Sequence, residues 1–280
     1  MLVVLTIAAL PVAALLALQL LRLSDRRAEG RAQAELRAAG AISSGHFDPA
    51  SVQDLPDPAR RYFLFAIQPG ARLRTVAEIE MGGEISLGVK EKPNYLPMKA
   101  DQVIAGPAGF VWRLRAGTPR MWLSGSDGYA RGRAWTGFWL YGLIPIVRAG
   151  GSTDFARSAE GRALAESVFW APATMLPSAQ VKWFPVDAVT ARAVVTLPGR
   201  EHVIDLTVAP DGRPLAVLIQ RWSRENPERQ WRLQPFGGTI GEVREVDGYR
   251  VAWAVDGGNW FGTDQYFPFY RARVSAIRFR

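Results

Sequence analysis

The chain has 280 residues, 48% hydrophobic and 21% charged, with no cysteine, which excludes disorder, a disulfide scaffold, thiol nucleophiles, Cys-based zinc sites and a lipid-modified N-terminal cysteine. Two histidines, His46 and His202, are too few for a multi-histidine metal site, and no cofactor is expected. The net charge of +8 comes from 34 basic residues, all but four of them Arg, interleaved with 26 acids rather than gathered in a stripe, so no nucleic-acid partner is expected.

Residues 2–21, LVVLTIAALPVAALLALQLL, carry no charge. Twenty helical residues rise about 30 Å, the thickness of a hydrocarbon core, and a proline such as Pro11 is tolerated in lipid. No basic residue precedes the run, and Arg22-Leu23-Ser24-Asp25-Arg26-Arg27 follows where a signal peptide would need small residues. The expectation is an uncleaved single-pass membrane helix, with the membrane as partner through residues 2–21. Arg22, Arg26, Arg27 and Arg31 would hold the bulk of the chain in the cytoplasm. Residues 24–45 read as a helical stalk and linker, ending at Gly40 and Ser43-Ser44-Gly45. That divides the chain into an anchor over 1–23, a stalk over 24–45 and a single β-rich domain over 46–280.

A short helix is expected after Asp54-Leu55-Pro56-Asp57-Pro58, ending at Pro69-Gly70. From Arg72 the apolar period becomes two, and Gly82-Gly83 reads as a hairpin turn between Leu73–Met81 and Ile85–Val89. Strands follow at 98–105, 109–115, 120–124 and 129–136, with turns at Gly106-Pro107, Thr118-Pro119 and Asp127-Gly128. The run 138–147, FWLYGLIPIV, is either a buried strand or an exposed apolar lip. Asp154 to Trp170 has helical spacing on an Ala-rich face and stops at Pro172. Eight further strand patterns follow between Val181 and Phe279, with turns at Pro198-Gly199, Pro210-Asp211-Gly212 and Asp247-Gly248. The expected fold is mainly β (α+β). A large, strongly curved antiparallel sheet, an open half-barrel, holds the helix around 158–170 in its concave face, behind the N-terminal transmembrane helix.

Ten Trp residues stand out. They either fill the core of a large sheet or wall a cavity for an apolar ligand. The residues singled out for such a cavity are Trp112, Trp135, Trp139, Trp170 and Trp222. Glu166, on an otherwise small and apolar helix, needs a partner if buried, and Arg221, on an apolar strand, is the expected one. No G-x-S-x-G, Walker, H-E-x-x-H or dinucleotide motif occurs, so no catalytic residue is assigned. A hydrolase using Glu166, Asp205 or Asp127 with water is the catalytic rival.

Leu55-Pro56 with Arg61-Tyr62, Gly109-Phe110-Val111-Trp112, Asp127-Gly128-Tyr129 with Gly132, Gly142–Val147, Leu164-Ala165-Glu166 with Trp170-Ala171-Pro172-Ala173, Tyr249–Ala252 and Arg271–Val274 occur in an order that resembles a bacterial family of unknown function found behind a membrane helix. Ala252 departs from it, standing where the resemblance implies proline. The family brings no catalytic residues with it. The inferred shape is also similar to the bacterial lipoprotein carriers, open half-barrels that hold acyl chains and lie outside the cytoplasm, which leaves the side of the membrane open. The function expected is binding or transfer of a lipid-like ligand in an aromatic-lined concavity; the alternative is a non-catalytic scaffold without a ligand.

Overall fold

Strands that follow one another in the chain pair with one another, and the first and last strands meet at the centre of the sheet. A computed structural model of the chain describes residues 2–40 and 45–280, and side chains from residue 12 onward within them. The first half supplies β1 (Ala77–Ser86), β2 (Tyr95–Ile104), β3 (Gly109–Thr118), β4 (Met121–Ala130), β5 (Arg133–Leu140) and β6 (Ile144–Gly150). The second supplies β7 (Val181–Pro185), β8 (Thr190–Leu197), β9 (Arg200–Val208), β10 (Pro214–Ser223), β11 (Arg232–Ile240), β12 (Val243–Val246), β13 (Tyr249–Ala252), β14 (Ala254–Asn259) and β15 (Phe267–Phe279). Thirteen of them form one antiparallel sheet in the order β6-β5-β4-β3-β2-β1-β15-β14-β11-β10-β9-β8-β7, while β12 and β13 make a separate two-stranded ribbon. Among the described residues the α-helices are α1 (Leu2–Gly40), α2 (Asp57–Ala66) and α3 (Thr153–Trp170).

The sheet curls, and α3 shows by how much. This helix touches β4 and β5 on one arm and β9 and β10 on the other. Seven strand intervals separate β4 from β10, about 34 Å if the sheet were flat, against a helix only about 10–12 Å across. Both arms reach one helix only because the sheet wraps around it. Ser152 caps α3 by accepting from the Phe155 N–H, and Pro172 stands just past its end. The concave side carries the main core, with Phe110, Trp112 and Leu114 of β3 packed in the same cluster as Leu164, Val168 and Trp170 of α3. Val111, between them in the strand, faces the other way and packs with Ala32 and Leu36 of α1. The two helices therefore lie on opposite faces of the sheet.

Several sequence expectations change. Among the described residues no helix is long and apolar enough to cross a membrane. The single-pass anchor and the membrane localisation drawn from it are overturned. The start of the apolar run and the linker at Ser43-Ser44 lie outside the described side chains and residues. Gly82-Gly83 is not a turn, because β1 runs straight through it. A Cβ on Gly83, at φ +128, would sit 2.0 Å from the Arg271 carbonyl oxygen of β15. Asp127-Gly128 is likewise inside β4, where the Trp135 ring lies so close that a Cβ on Gly128 would be 2.0 Å from it. The turn falls at Arg131-Gly132, both at positive φ (51 and 74), the backbone of a tight two-residue hairpin. The run 138–147 is the end of β5, a turn and the edge strand β6, and it leaves Tyr141, Leu143, Ile144, Ile146 and Val147 exposed.

Candidate functional site

The core-facing side of α3 is not uniformly apolar. Its eight C-terminal residues, 163–170, are all buried, with Leu164, Val168, Phe169 and Trp170 among them. Trp170 is fully buried and its indole N–H donates to the Ala252 carbonyl at 3.1 Å. Toward the N-terminal half the same face carries Asp154, Ser158, Glu160, Arg162 and, one turn on, Glu166. These groups need partners because they are withdrawn from water, and each finds one on an arm of the sheet.

Arg162 is the hub on the β2–β4 arm. Its Nε donates to Glu166 Oε1 at 2.6 Å and its Nη1 to Asp127 Oδ2 at 3.3 Å. The guanidinium lies 4.6 Å from the Phe110 ring centroid and 5.2 Å from that of Trp112. Gln102 Nε2 donates to the second oxygen of Glu166 at 2.6 Å, and Thr136 donates to the second oxygen of Asp127. All four carboxylate oxygens are thereby occupied. Burial alone would make Arg162 less basic, but Glu166 and Asp127 outweigh it and hold its pKa above the ordinary value.

A second knot ties the helix to both arms at once. Glu160 accepts from the Tyr129 hydroxyl of β4 at 2.7 Å and meets His202 Nε2 of β9 at 2.7 Å, with Arg200 at 3.6 Å. Burial pushes the Glu160 pKa up, but the bonds from His202 and Tyr129 win and leave it below the usual carboxylate value. Burial raises the Tyr129 hydroxyl, and its bond to Glu160 adds to the effect.

The expected pair of Glu166 with Arg221 does not form. Glu166 belongs to Arg162, its neighbour one helical turn away, and Arg221 donates from Nε to Ser158 Oγ at 3.1 Å. Arg221 lies over the Phe236 ring at 4.7 Å. Burial, with the nearby Arg162 cation adding to it, pushes the Arg221 pKa down to about 10.

The seven residues singled out from the sequence therefore fall into three places. Trp112, Glu166 and Arg221 gather around Arg162 inside the concavity. Trp170 and Trp222 mark the two ends of α3, the latter donating to Asp154 at 2.7 Å beneath the Arg157 guanidinium. Trp135 and Trp139 face the other side, where they line a groove of about 1800 Å3 between α1 and the sheet. That groove is walled by charge, and Arg37–Glu78, Arg113–Asp101, Arg131–Glu35 and Arg148–Asp25 pairs cross it or brace its sides. The chemistry of this groove is that of ion pairs clamping a helix.

Around Trp112 the concave wall stays partly open. Phe138 of β5 and Tyr270 of β15 flank the indole at 6.4 and 5.9 Å, and both pack on the core while only half-buried, as does Phe236. The Tyr270 hydroxyl sits on the Met81 sulfur, and burial lifts its pKa well above the usual range. Two buried atoms here have no hydrogen-bond partner, Gln102 Oε1 and Trp112 Nε1. The sequence reading missed Arg162, although its i,i+4 spacing to Glu166 was a local signal. It had no way to single out Gln102, Phe138 or Tyr270, which only the curl brings together. Asp127 and Glu166 do meet, but through a shared guanidinium with every oxygen taken, which is an ion-pair network and not an acid–base pair. Asp205 is engaged with Arg192 at 2.6 and 2.8 Å.

Residues 45–272 match the model of a family described as a family of unknown function, DUF6544. No curated protein matches the sequence. Among solved structures, a LolA superfamily protein from Nitrosomonas europaea is 10% identical, with 80% of this chain and 92% of that one covered at a TM-score of 0.39. A DUF1329 family protein from Desulfovibrio piger is 14% identical, with 83% and 94% covered at a TM-score of 0.40. At these identities the likeness is one of chain course and carries nothing about a ligand.

Proposed function

The chain belongs to the DUF6544 family, and we propose that it binds a hydrophobic, lipid-like ligand at the open part of its concave face, beside the N-terminal half of α3. The observation that carries this reading is the half-buried aromatic wall of Phe138, Tyr270 and Phe236 around the buried Trp112. A wall that served only to fill the core would be closed over by α3, as Phe110 and Trp170 are. Here apolar surface stays within reach of solvent, where an apolar ligand would remove it from water at about 25 cal/mol per Å². The site residues proposed are Trp112, Phe138, Phe236, Tyr270 and Arg221.

Native mass spectrometry of the full-length protein tests this. A co-purifying adduct of lipid mass, or uptake of oleyl alcohol, that Phe138→Asp abolishes while the far-UV spectrum is unchanged supports the reading. A clean mass with no uptake leaves a ligand-free scaffold as the better account.

A further inference from the structure

Resting on that reading, we infer that the ligand carries an anionic head, a carboxylate or phosphate, which Arg221 and the Trp112 indole N–H receive. A guanidinium has five N–H donors. One of those on Arg221 is used, by Ser158. Among the described residues no carboxylate lies within ion-pair distance of Arg221. The acids near enough to act on it through space are Asp127, Glu166 and Glu225. The first two have both oxygens filled by Arg162, Gln102 and Thr136. The third is an exposed residue near Arg229. The protein thus places a cation in its concave wall and commits its nearest anions elsewhere.

Trp112 supplies the second, independent observation. It is 3% exposed, and its N–H makes no hydrogen bond of good geometry, the Tyr270 hydroxyl lying close enough only to interact with it weakly while donating to the Met81 sulfur. A buried donor left unmet costs roughly 1–3 kcal/mol, which an arriving acceptor would return. Both groups belong to the cluster around Arg162, which stacks on the Trp112 ring and whose charge is felt at Arg221. The half-buried rings of Phe138 and Tyr270 flank Trp112, and that of Phe236 lies against Arg221. A neutral amphiphile would satisfy the apolar wall and leave these two donors as they are, whereas an anionic head would also meet them. The lowered basicity of Arg221 has the same sense, since a neighbouring anion would relieve it.

Isothermal titration of the full-length protein with oleate, oleyl phosphate and oleyl alcohol, each below its micellar concentration, separates the cases. At least one of the two anions is expected to bind about tenfold more tightly than the alcohol, as a charge-assisted contact allows, and the tighter of them names the head. Arg221→Gln should bring the anion down to the level of the alcohol measured on the same variant. Trp112→Phe keeps the ring, removes the N–H and should weaken the anion selectively, which serves if Arg221→Gln does not fold. Alcohol binding as tight as that of both anions, or a preference that survives both substitutions, overturns this inference and leaves the proposed function standing. If none of the three binds, both fall.

Discussion

Replacing Arg162 with methionine should expose how much of the fold depends on one buried cation. The side chains involved are nearly withdrawn from water, with exposures of 12% for Arg162, 11% for Glu166 and 23% for Asp127. Methionine keeps the packing against Phe110 and Trp112 but strands two carboxylates. Removing one partner of a buried ion pair costs about 3–5 kcal/mol. Glu166 should show most of that cost, and Asp127, better hydrated, a smaller share. The expected loss at pH 7 is about 3 kcal/mol, read as the change in urea midpoint by tryptophan fluorescence and far-UV circular dichroism. A triple variant, Arg162→Met with Asp127→Asn and Glu166→Gln, should recover part of the loss. A deficit under about 1 kcal/mol would refute the picture of a buried and saturated network.

Four other outcomes follow from the geometry. The folded Glu160 pKa is depressed, so its stabilising effect is present above the unfolded carboxyl value of about 4.3 and lost as pH falls through the folded one; Glu160→Gln should flatten the acid limb of a stability–pH profile, and an unchanged limb would count against the His202–Glu160–Tyr129 knot. Trp170→Ala empties a fully buried site and should cost about 3–5 kcal/mol, measured as a lowered denaturation midpoint, with Trp170→Phe costing clearly less. Gly109→Ala places a Cβ 1.8 Å from the Tyr129 carbonyl oxygen at φ +137, so a loss of about 2–3 kcal/mol is expected, and a neutral result would contradict the close approach of β3 and β4. Hydrogen exchange should find the amides of residues 153–162 opening more readily than those of 163–170, because only the second group is buried throughout; equal protection would argue against a helix held differently at its two ends.

The sequence carried the fold further than the site. Period-two alternation marked most strands, and turn residues such as Asp247-Gly248 and Pro198-Gly199 marked most turns. Misreadings occurred where glycine served close packing instead of a turn. Gly83 and Gly128 permit a neighbouring carbonyl and an indole ring to approach, and a lone sequence cannot distinguish that use from a reverse turn. The helix at 153–170 was legible from its spacing and its proline stop. Its partners were not, because Gln102, Asp127, Tyr129, His202 and Arg221 come from strands far apart in the chain, Gln102 and Arg221 being 119 residues apart, that meet only when the sheet curls. The pairing of Glu166 was misassigned for a related reason. A distant cation on an apolar strand drew attention, while the adequate local partner, Arg162, lay one turn away on the same helix.

The division within α3 links the fold to the proposed site. Its C-terminal half is held by apolar burial, by Trp170 on the Ala252 carbonyl, and by the Tyr62 hydroxyl of α2 on the Val168 carbonyl. Its N-terminal half is held by side-chain pairs: Trp222 with Asp154, Arg221 with Ser158, Glu160 with both His202 and Tyr129, and Arg162 with Asp127. Apolar contact is tolerant of small shifts, whereas these pairs are satisfied in one register only, so they fix the helix between the arms with little net gain in stability, the desolvation of each charge offsetting most of its attraction. The half of α3 beside Phe138, Tyr270 and Phe236 is thus the half whose attachment is specific and energetically close to balance. A ligand entering there needs to displace no large apolar contact, and of the polar ones it meets, Arg221 is the cation with donors to spare.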